Sequence, residues 1–342
     1  MQVLLAVVLL GVLVTFHELG HFLAGRAAGI YIHEFAIGMG PVIFSKQGRE
    51  TKYSLRLIPI GGYNRFAGEE GKDREEDVQV PRERLISTQS PGRKAMVVAA
   101  GPIANLLIAS IAFMAVFSFV GINRPTNAIS EVMPGYPAAS VGIQTGDVIL
   151  SVAGKPTATW EEMTAAIQPR AAQPTEIVIR RGDEDITFNV TPIDVSGVGV
   201  IGVRPSFVVT KLGPIQGLYQ GLKETVIVSV SWIQGIIGMI VGKIAPEVTG
   251  PIGITQILGE AAQTGVGELL YLLGALSANL GLFNLLPVPA LDGSRLIFAG
   301  AEAITGKPID PDKESFIHFV GFFLLMALFV VITYKDILRL IR

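Results

Sequence analysis

Long apolar stretches alternate with polar segments along this chain of 342 residues. An α-helix needs about 20 mainly apolar residues, with a range of roughly 17–25, to cross a bilayer. Five stretches meet that length: Val3–Phe16 with a continuation to about Ala24, Ala95–Ile122, Thr225–Gly242, Leu269–Leu291 and Phe316–Tyr334. The pattern therefore predicts a polytopic α-helical membrane protein.

The polar segment of residues 25–94 lies between the first two apolar stretches. It holds twelve Lys and Arg side chains from Arg26 to Lys94, and three of them lie next to membrane ends. Lys and Arg near membrane ends favour the cytoplasmic side. We therefore expect this segment inside the cell, and both the N-terminus and the chain beyond Ile122 outside.

Shorter patterns subdivide the polar regions. Apolar and polar residues alternate over Lys52–Leu57, which is the period of a half-buried strand. We expect a β-hairpin at about residues 34–63, followed by a charged linker. Residues 126–206 contain short β-branched runs between Gly and Pro turns, which predict an inserted β-rich domain.

Composition narrows the possible chemistry. Only 16% of residues are charged, below the roughly 25% of soluble domains, and the net charge is −2. This balance gives no reason to expect nucleic acid as a partner. The chain has no cysteine, so a metal site cannot use thiolates and must be built from His, Asp, Glu or backbone oxygen.

The first apolar stretch ends in the motif HELGH, at residues 17–21. On a helix, His17 and His21 lie one turn apart on the same face, where both rings can bind one metal ion. Glu18 follows the first histidine and can reach a metal-bound water as general base. Ionisable groups in an apolar helix are costly, about 2.5–3.5 kcal/mol each when charged at the bilayer centre, which favours this use over a chance match.

A catalytic zinc site takes three protein ligands and leaves one position open for water. The segment NLLPVPALDG (284–293) contains two prolines that prevent ordinary helix, and Asp292 follows this break. Asp292 is the candidate third ligand, although an aspartate that caps the next helix has the same pattern. Asp292 lies on the same side of the membrane as HELGH only if Thr225–Gly242 does not cross the membrane.

The zinc hypothesis therefore predicts four transmembrane helices. These cover residues 1–24, 95–122, 268–293 and 316–336. Residues 207–267 then form an outer region with an interfacial or re-entrant helix, and residues 294–315 form a cytoplasmic loop. Ser229, Ser231, Gln234 and several glycines make Thr225–Gly242 a weak candidate for crossing.

Two asparagines lie in apolar surroundings near these motifs. Asn105 ends the sequence GPIAN (101–105), and Asn284 begins NLLPVPALDG. The small residues Gly101 and Ala104 favour close helix approach. An amide here is suited either to a hydrogen bond between helices or to holding substrate backbone.

Together, HELGH, GPIAN and NLLPVPALDG resemble the site-2 protease family of intramembrane zinc metalloproteases. A soluble domain between the second and third spans is similar to the bacterial regulator-of-sigma-E protease branch. In that domain, MPGYPAA (133–139), GIQTGDVI (142–149) and GVIGV (199–203) resemble a single PDZ domain with its peptide-accepting loop.

The resemblance implies a zinc endopeptidase of the bacterial cytoplasmic (inner) membrane. His17, His21 and Asp292 would bind Zn²⁺, Glu18 would activate water, and Asn105 and Asn284 would contact substrate. The segment around Lys52–Gly62 resembles a membrane-associated β-hairpin that holds unwound substrate by strand addition. Substrates would be single-pass membrane proteins, such as an anti-sigma factor or remnant signal peptides, with the active site toward the cytoplasm and the PDZ domain outside.

The same motifs are also compatible with two other functions. A non-catalytic membrane scaffold would use the PDZ domain to bind chain ends and would hold no stoichiometric zinc. A transporter would use the intramembrane His, Glu and Asp as an ion path and would favour internal repeats, which this sequence lacks. Metal analysis separates the scaffold from the protease, and a cleavage assay separates the transporter from it.

Overall fold

The computed structural model describes residues 2–69, 79–243 and 250–341. Residues 70–78 of the predicted charged linker and residues 244–249 of the predicted outer region lie outside the described residues. The chain divides into two units, one of Met1–Ser118 with Gly213–Arg342 and one of Phe119–Leu212. We call them the membrane unit and the inserted domain.

The helices of the described chain are α1 (Gln2–Ala27), α2 (Pro91–Ala115), α3 (Pro137–Val141), α4 (Trp160–Ile167), α5 (Pro214–Ile240), α6 (Pro251–Thr264), α7 (Val266–Asn284), α8 (Asp292–Thr305) and α9 (Pro311–Ile341). The strands are β1 (Ile32–Gln47), β2 (Lys52–Phe66), β3 (Ile122–Val132), β4 (Val148–Val152), β5 (Lys155–Pro156), β6 (Thr175–Arg181), β7 (Glu184–Val190), β8 (Ile193–Val195), β9 (Val198–Val200) and β10 (Val203–Thr210).

Helix α2 continues directly into a π-helical segment, Val116–Val120. With that segment included, five of these helices are long and apolar enough to cross a membrane: Val3–Ala27, Pro91–Val120, Pro214–Ile240, Val266–Asn284 and Lys313–Arg339. Their bounds differ from the predicted ones by a few residues. Helix α2 begins earlier than residue 95 because Pro91 is the first helical residue after an extended Ser90, a position that suits proline. Helix α8 occupies part of the segment predicted as a cytoplasmic loop.

Small residues bring the central helices of the membrane unit together. A Cβ atom at Gly20 of α1 would lie 2.4 Å from the carbonyl oxygen of Ala100 on α2. A Cβ atom at Gly281 of α7 would lie 2.7 Å from the carbonyl oxygen of Pro102. Glycine alone permits these backbone approaches, and they place α2 between α1 and α7.

The contacts also fix the directions of these helices. His17 on α1 meets Asn105 on α2, and His21 meets Val97, so α1 and α2 run antiparallel. On α7, Gly274 packs on Phe113 and Ser277 donates a hydrogen bond to the Asn105 carbonyl oxygen. Helix α7 is therefore antiparallel to α2 and ends at the same end of the bundle as α1.

Strands β1 and β2 form an antiparallel hairpin beside α1. A Cβ atom at Gly11, in the middle of α1, would lie 2.4 Å from the carbonyl oxygen of Pro59 in β2. The hairpin exposes a set of apolar side chains on both strands: Met39, Val42, Ile43, Phe44, Leu55, Leu57 and Ile58. Contiguous exposed apolar side chains of this kind mark a surface that contacts lipid or another protein.

Polar contacts centred on the buried Glu34 link the two strands of the hairpin. Glu34 accepts hydrogen bonds from Ser54 (2.5 Å), Tyr63 (2.7 Å) and Arg56 (2.9 Å). Burial opposes ionisation of Glu34, but these three donors outweigh it and the pKa of Glu34 is lowered. Burial and the neighbouring carboxylate raise the pKa of Tyr63 to about 12. Tyr63 therefore stays a neutral donor at neutral pH.

The inserted domain has a six-stranded sheet in the order β10-β3-β4-β6-β7, with β5 paired to β4, and a separate β8–β9 pair. Its core includes Ile149, Val152, Met163 and Ile177. Thr159 caps α4 by accepting from the backbone N–H of Glu162, whose side chain accepts in return from the Thr159 N–H. This reciprocal cap explains why the helix begins at Trp160.

Candidate metal centre

The two histidines of HELGH face the interior of the membrane unit. Their side chains lie one turn apart on α1, and His17 and His21 are only 7% and 8% exposed. Their Nε2 atoms are 3.2 Å apart. The helical spacing thus brings two nitrogen donors to one point, as the sequence predicts from the i, i+4 pattern.

Asp292 reaches the same point from a distant part of the chain. Helix α7 ends at Asn284, the two prolines interrupt helical structure, and α8 begins at Asp292. The carboxylate Oδ2 of Asp292 lies 3.0 Å from His17 Nε2 and 3.4 Å from His21 Nε2. The structure therefore brings together the three residues predicted as metal ligands.

The donor atoms suit a zinc ion. The Nδ1 atom of His21 donates to the Val97 carbonyl oxygen at 2.8 Å, which leaves the Nε2 lone pair free. Asp292 Oδ2 is buried without a hydrogen-bond donor. A tetrahedral ion with bonds of about 2.0–2.1 Å separates its ligand atoms by about 3.3 Å. The observed separations of 3.0–3.4 Å match that value.

Asn105 lies behind the metal centre. It is fully buried on α2, and its Nδ2 atom is 3.1 Å from His17 Nδ1, while its Oδ1 atom has no hydrogen-bond partner. A 180° rotation of the amide places Oδ1 where it accepts from the Nδ1–H of His17. That arrangement satisfies the buried oxygen and leaves the His17 Nε2 lone pair for the metal.

Replacing Asn105 with alanine is expected to speed the release of zinc by roughly 10–100-fold, the usual effect of removing an outer partner of a ligating histidine. A chelator-competition assay on purified protein measures the rate. Asn279→Ala is the matched control, because Asn279 is also an asparagine of the bundle with a buried Oδ1 atom. Equal release rates in the two variants would contradict the role assigned to Asn105.

Glu18 is held by a residue that sequence reasoning missed. Asn64 of β2 donates from Nδ2 to Glu18 Oε2 at 2.8 Å and to the Glu18 carbonyl oxygen at 2.7 Å. Gly62 makes room, since a Cβ atom there would lie 3.1 Å from Glu18 Cγ. The hairpin therefore orients the carboxylate, and no local pattern around Asn64 indicates this contact.

Asn284 has a different position from Asn105. It is half-buried at the last turn of α7, before the proline-broken segment that leads to Asp292. It is thus on the segment that enters the site, whereas Asn105 is packed against a histidine. The structure places the two predicted substrate contacts in different surroundings.

A cavity of about 1110 Å³ opens beside the donor cluster. It exceeds the roughly 300–1,000 Å³ of ordinary ligand pockets, so peptide and water both have room. Two ion pairs stand in its wall: Lys94 Nζ lies 2.9 Å from Glu302, and Arg295 lies 2.5 Å from Glu69. The first pair connects α8 to the start of α2 and so supports the helix that begins at Asp292.

Comparison with known proteins decides the family. The sequence profile described as Peptidase family M50 matches residues 5–328. The chain belongs to peptidase family M50. A relative from Oceanobacillus iheyensis, "Zinc metalloprotease RasP", is 31% identical over 98% of each chain. "Regulator of sigma-W protease RasP" from Bacillus subtilis is 30% identical over 98% of this chain and 97% of the relative.

This M50 peptidase is therefore a zinc metalloprotease with Zn²⁺ as its cofactor, as the sequence predicts. Membership in a peptidase family excludes the hypothesis of a non-catalytic membrane scaffold. Among solved structures, a crystal structure of the PDZ domain of an SdrC-like protein from Listeria monocytogenes is similar over 25% of this chain and 90% of that one. Its identity is 23% and its TM-score is 0.22.

Proposed function

We propose that this M50 peptidase is an intramembrane endopeptidase that cleaves single-span membrane proteins. The observation that carries the proposal is the convergence of His17, His21 and Asp292 on one point, with Glu18 and a large cavity beside them. His17 and His21 lie in the C-terminal half of the apolar helix α1, and Asp292 follows the end of the apolar helix α7. A peptide bond cut at this site belongs to a segment that has entered the bundle.

His17, His21 and Asp292 would hold the metal in this mechanism. Zinc held there would lower the pKa of its bound water to near 7 and would polarise the scissile carbonyl group. Glu18 takes the proton of the attacking water and passes it to the leaving amine. Asn64 holds the Glu18 carboxylate in place for both transfers, Asn105 supports the ring of His17 from behind, and Asn284 is the proposed contact near the scissile bond.

Four transmembrane helices fit the helix directions best. Since α2 and α7 are antiparallel, the chain between them makes no net crossing. Helix α6 has only 14 residues, too few to return across the bilayer if α5 crossed it. Helix α5 follows α2 inward from Gly217 to Thr225, and Trp232 contacts Phe283 near the inner end of α7. The four-helix arrangement therefore requires α5 to be a re-entrant helix from which the chain returns outward before α7.

The Lys and Arg distribution then orients the protein. The N-terminus, the inserted domain and the loop before α7 lie outside, and the metal centre faces the cytoplasm. By resemblance the inserted domain is a PDZ domain that binds exposed chain ends. The substrate class we propose is an anti-sigma factor or a remnant signal peptide, because each leaves one apolar helix in the membrane.

A labelling experiment tests this topology, because the chain has no cysteine of its own. We expect Gln263→Cys, at the exposed end of α6, to react with an impermeant maleimide added outside intact cells. Lys155→Cys in the inserted domain should react in the same way, whereas Lys307→Cys should react only after lysis. Labelling of Gln263→Cys only after lysis would overturn the four-helix arrangement.

A cleavage assay tests the function itself. The purified protein is placed in lipid vesicles with a model single-span substrate, and the products are mapped by mass spectrometry. We expect a cut inside the apolar segment, loss of cutting with a zinc chelator, and recovery with added zinc. Cutting only outside that segment, or cutting that resists the chelator, would contradict the proposal.

A further inference from the structure

The segment that carries Asp292 makes a contact that the proposed mechanism does not use. The backbone N–H of Ala290 donates to Nδ1 of His318 on α9 at 3.1 Å. His318 belongs to none of the motifs in the sequence, where it has no partner at ligand spacing. Its position against the metal-ligand segment gives it a specific partner.

The backbone at Ala290 needs such a partner. Its φ angle is +75°, in the left-handed region that side chains with a Cβ atom rarely adopt. A strained residue of this kind persists only where its surroundings hold it. Ala290 lies two residues before Asp292, so its dihedral angles set where the carboxylate points.

A second contact lies on the same face of α9. Gly321, one turn after His318, packs directly on Pro289. A Cβ atom at Gly321 would lie 2.4 Å from Pro289 Cβ and 2.6 Å from its carbonyl oxygen. Helix α9 therefore holds two successive residues of the segment, one by a close backbone approach and the other by a hydrogen bond.

His318 is itself fixed in orientation. Its ring packs edge-on against Phe298 of α8, with centroids 5.7 Å apart, and its Nε2 atom lies 3.7 Å from Glu314. Phe298 belongs to the helix that begins at Asp292. One histidine thus contacts the segment before the ligand and the helix after it.

We propose that His318, together with Gly321, is a positioning residue that fixes the Ala290 backbone and so aims Asp292 at the metal. This inference rests on the proposed ligation of zinc by Asp292. Without the hydrogen bond, Ala290 relaxes from its left-handed conformation and the carboxylate turns away. The expected consequence is a weaker metal site in a bundle that is otherwise intact.

The test uses the full-length protein in detergent and measures zinc release to a chelator. His318→Phe keeps an aromatic ring against Phe298 but removes the acceptor, and we expect release to be roughly 10–100-fold faster. His318→Asn places an amide oxygen near the position of Nδ1 and should restore slow release. Ile317→Phe, on another face of α9, is the matched control.

Backbone variants give an independent measurement. Ala290→Gly accepts a φ of +75° without strain, so adding it to His318→Phe should recover part of the slow release. Gly321→Ala displaces Pro289 and should speed release on its own, whereas Gly300→Ala on α8, with no atom near its Cβ position, should not. The visible spectrum of the cobalt-substituted protein should change in His318→Phe and return in His318→Asn.

The outcomes separate this inference from the proposed function. Asp292→Ala provides the reference for loss of the ligand. If Asp292→Ala speeds release while His318→Phe and Gly321→Ala release zinc like the wild type, the positioning role is wrong and the ligand set stands. If Asp292→Ala also releases zinc like the wild type, Asp292 is not a ligand and both proposals fail.

Discussion

Replacement of Glu18 by glutamine is expected to abolish cleavage while zinc stays bound. A glutamine side chain keeps the shape of the carboxylate and can still accept from Asn64 Nδ2, but it cannot take a proton from water. A positioned general base contributes roughly 10²–10⁴-fold to the rate, so residual cleavage should be about 1% or less. The three metal-donor atoms come from other residues, and the zinc content should stay near one per chain.

The measurements are the initial rate on a model single-span substrate and the zinc content of the purified variant. Asn64→Ala is the graded comparison, because it leaves the carboxylate and removes the donor that orients it. Its rate should fall less than that of Glu18→Gln. Loss of zinc in Glu18→Gln would make Glu18 a ligand, and retention of more than about a tenth of the rate would place the base elsewhere.

Much of the metal centre could be argued from the sequence because its parts obey local rules. The i, i+4 spacing of HELGH places both rings on one face of a helix without any knowledge of the tertiary fold. No local rule places Asp292 beside the two histidines. Two prolines end α7, and the count of membrane crossings decides on which side the aspartate lies.

Other parts have no local signal. Asn64 is one polar residue in a strand, and only the packing of the hairpin on α1 brings it to Glu18. The left-handed backbone of Ala290 is hydrogen-bonded to His318 on α9, 28 residues later in the chain. The sequence of α8 has the apolar periodicity of a helix. A short segment of this kind between two membrane-spanning stretches is equally typical of a loop.

Gly101→Ala is expected to remove zinc while the fold of the membrane unit is kept. A Cβ atom at this position would lie 2.2 Å from His21 Nε2 and 2.6 Å from Cε1, so the imidazole ring must move. The ring has little freedom, because its Nδ1 atom is bound to the Val97 carbonyl oxygen. We expect zinc affinity to fall by more than about 100-fold, beyond the usual loss for an outer contact.

Helix propensity alone predicts that this substitution is favourable. Alanine is favoured over glycine inside a helix by about 0.5–1 kcal/mol, so α2 itself should be stabilised by the change. Gly92→Ala, in the first turn of the same helix, has no atom near its Cβ position and isolates that gain. Zinc titration of the two variants therefore separates the metal site from the helix: tight binding by Gly101→Ala would mean that His21 does not point at the ion.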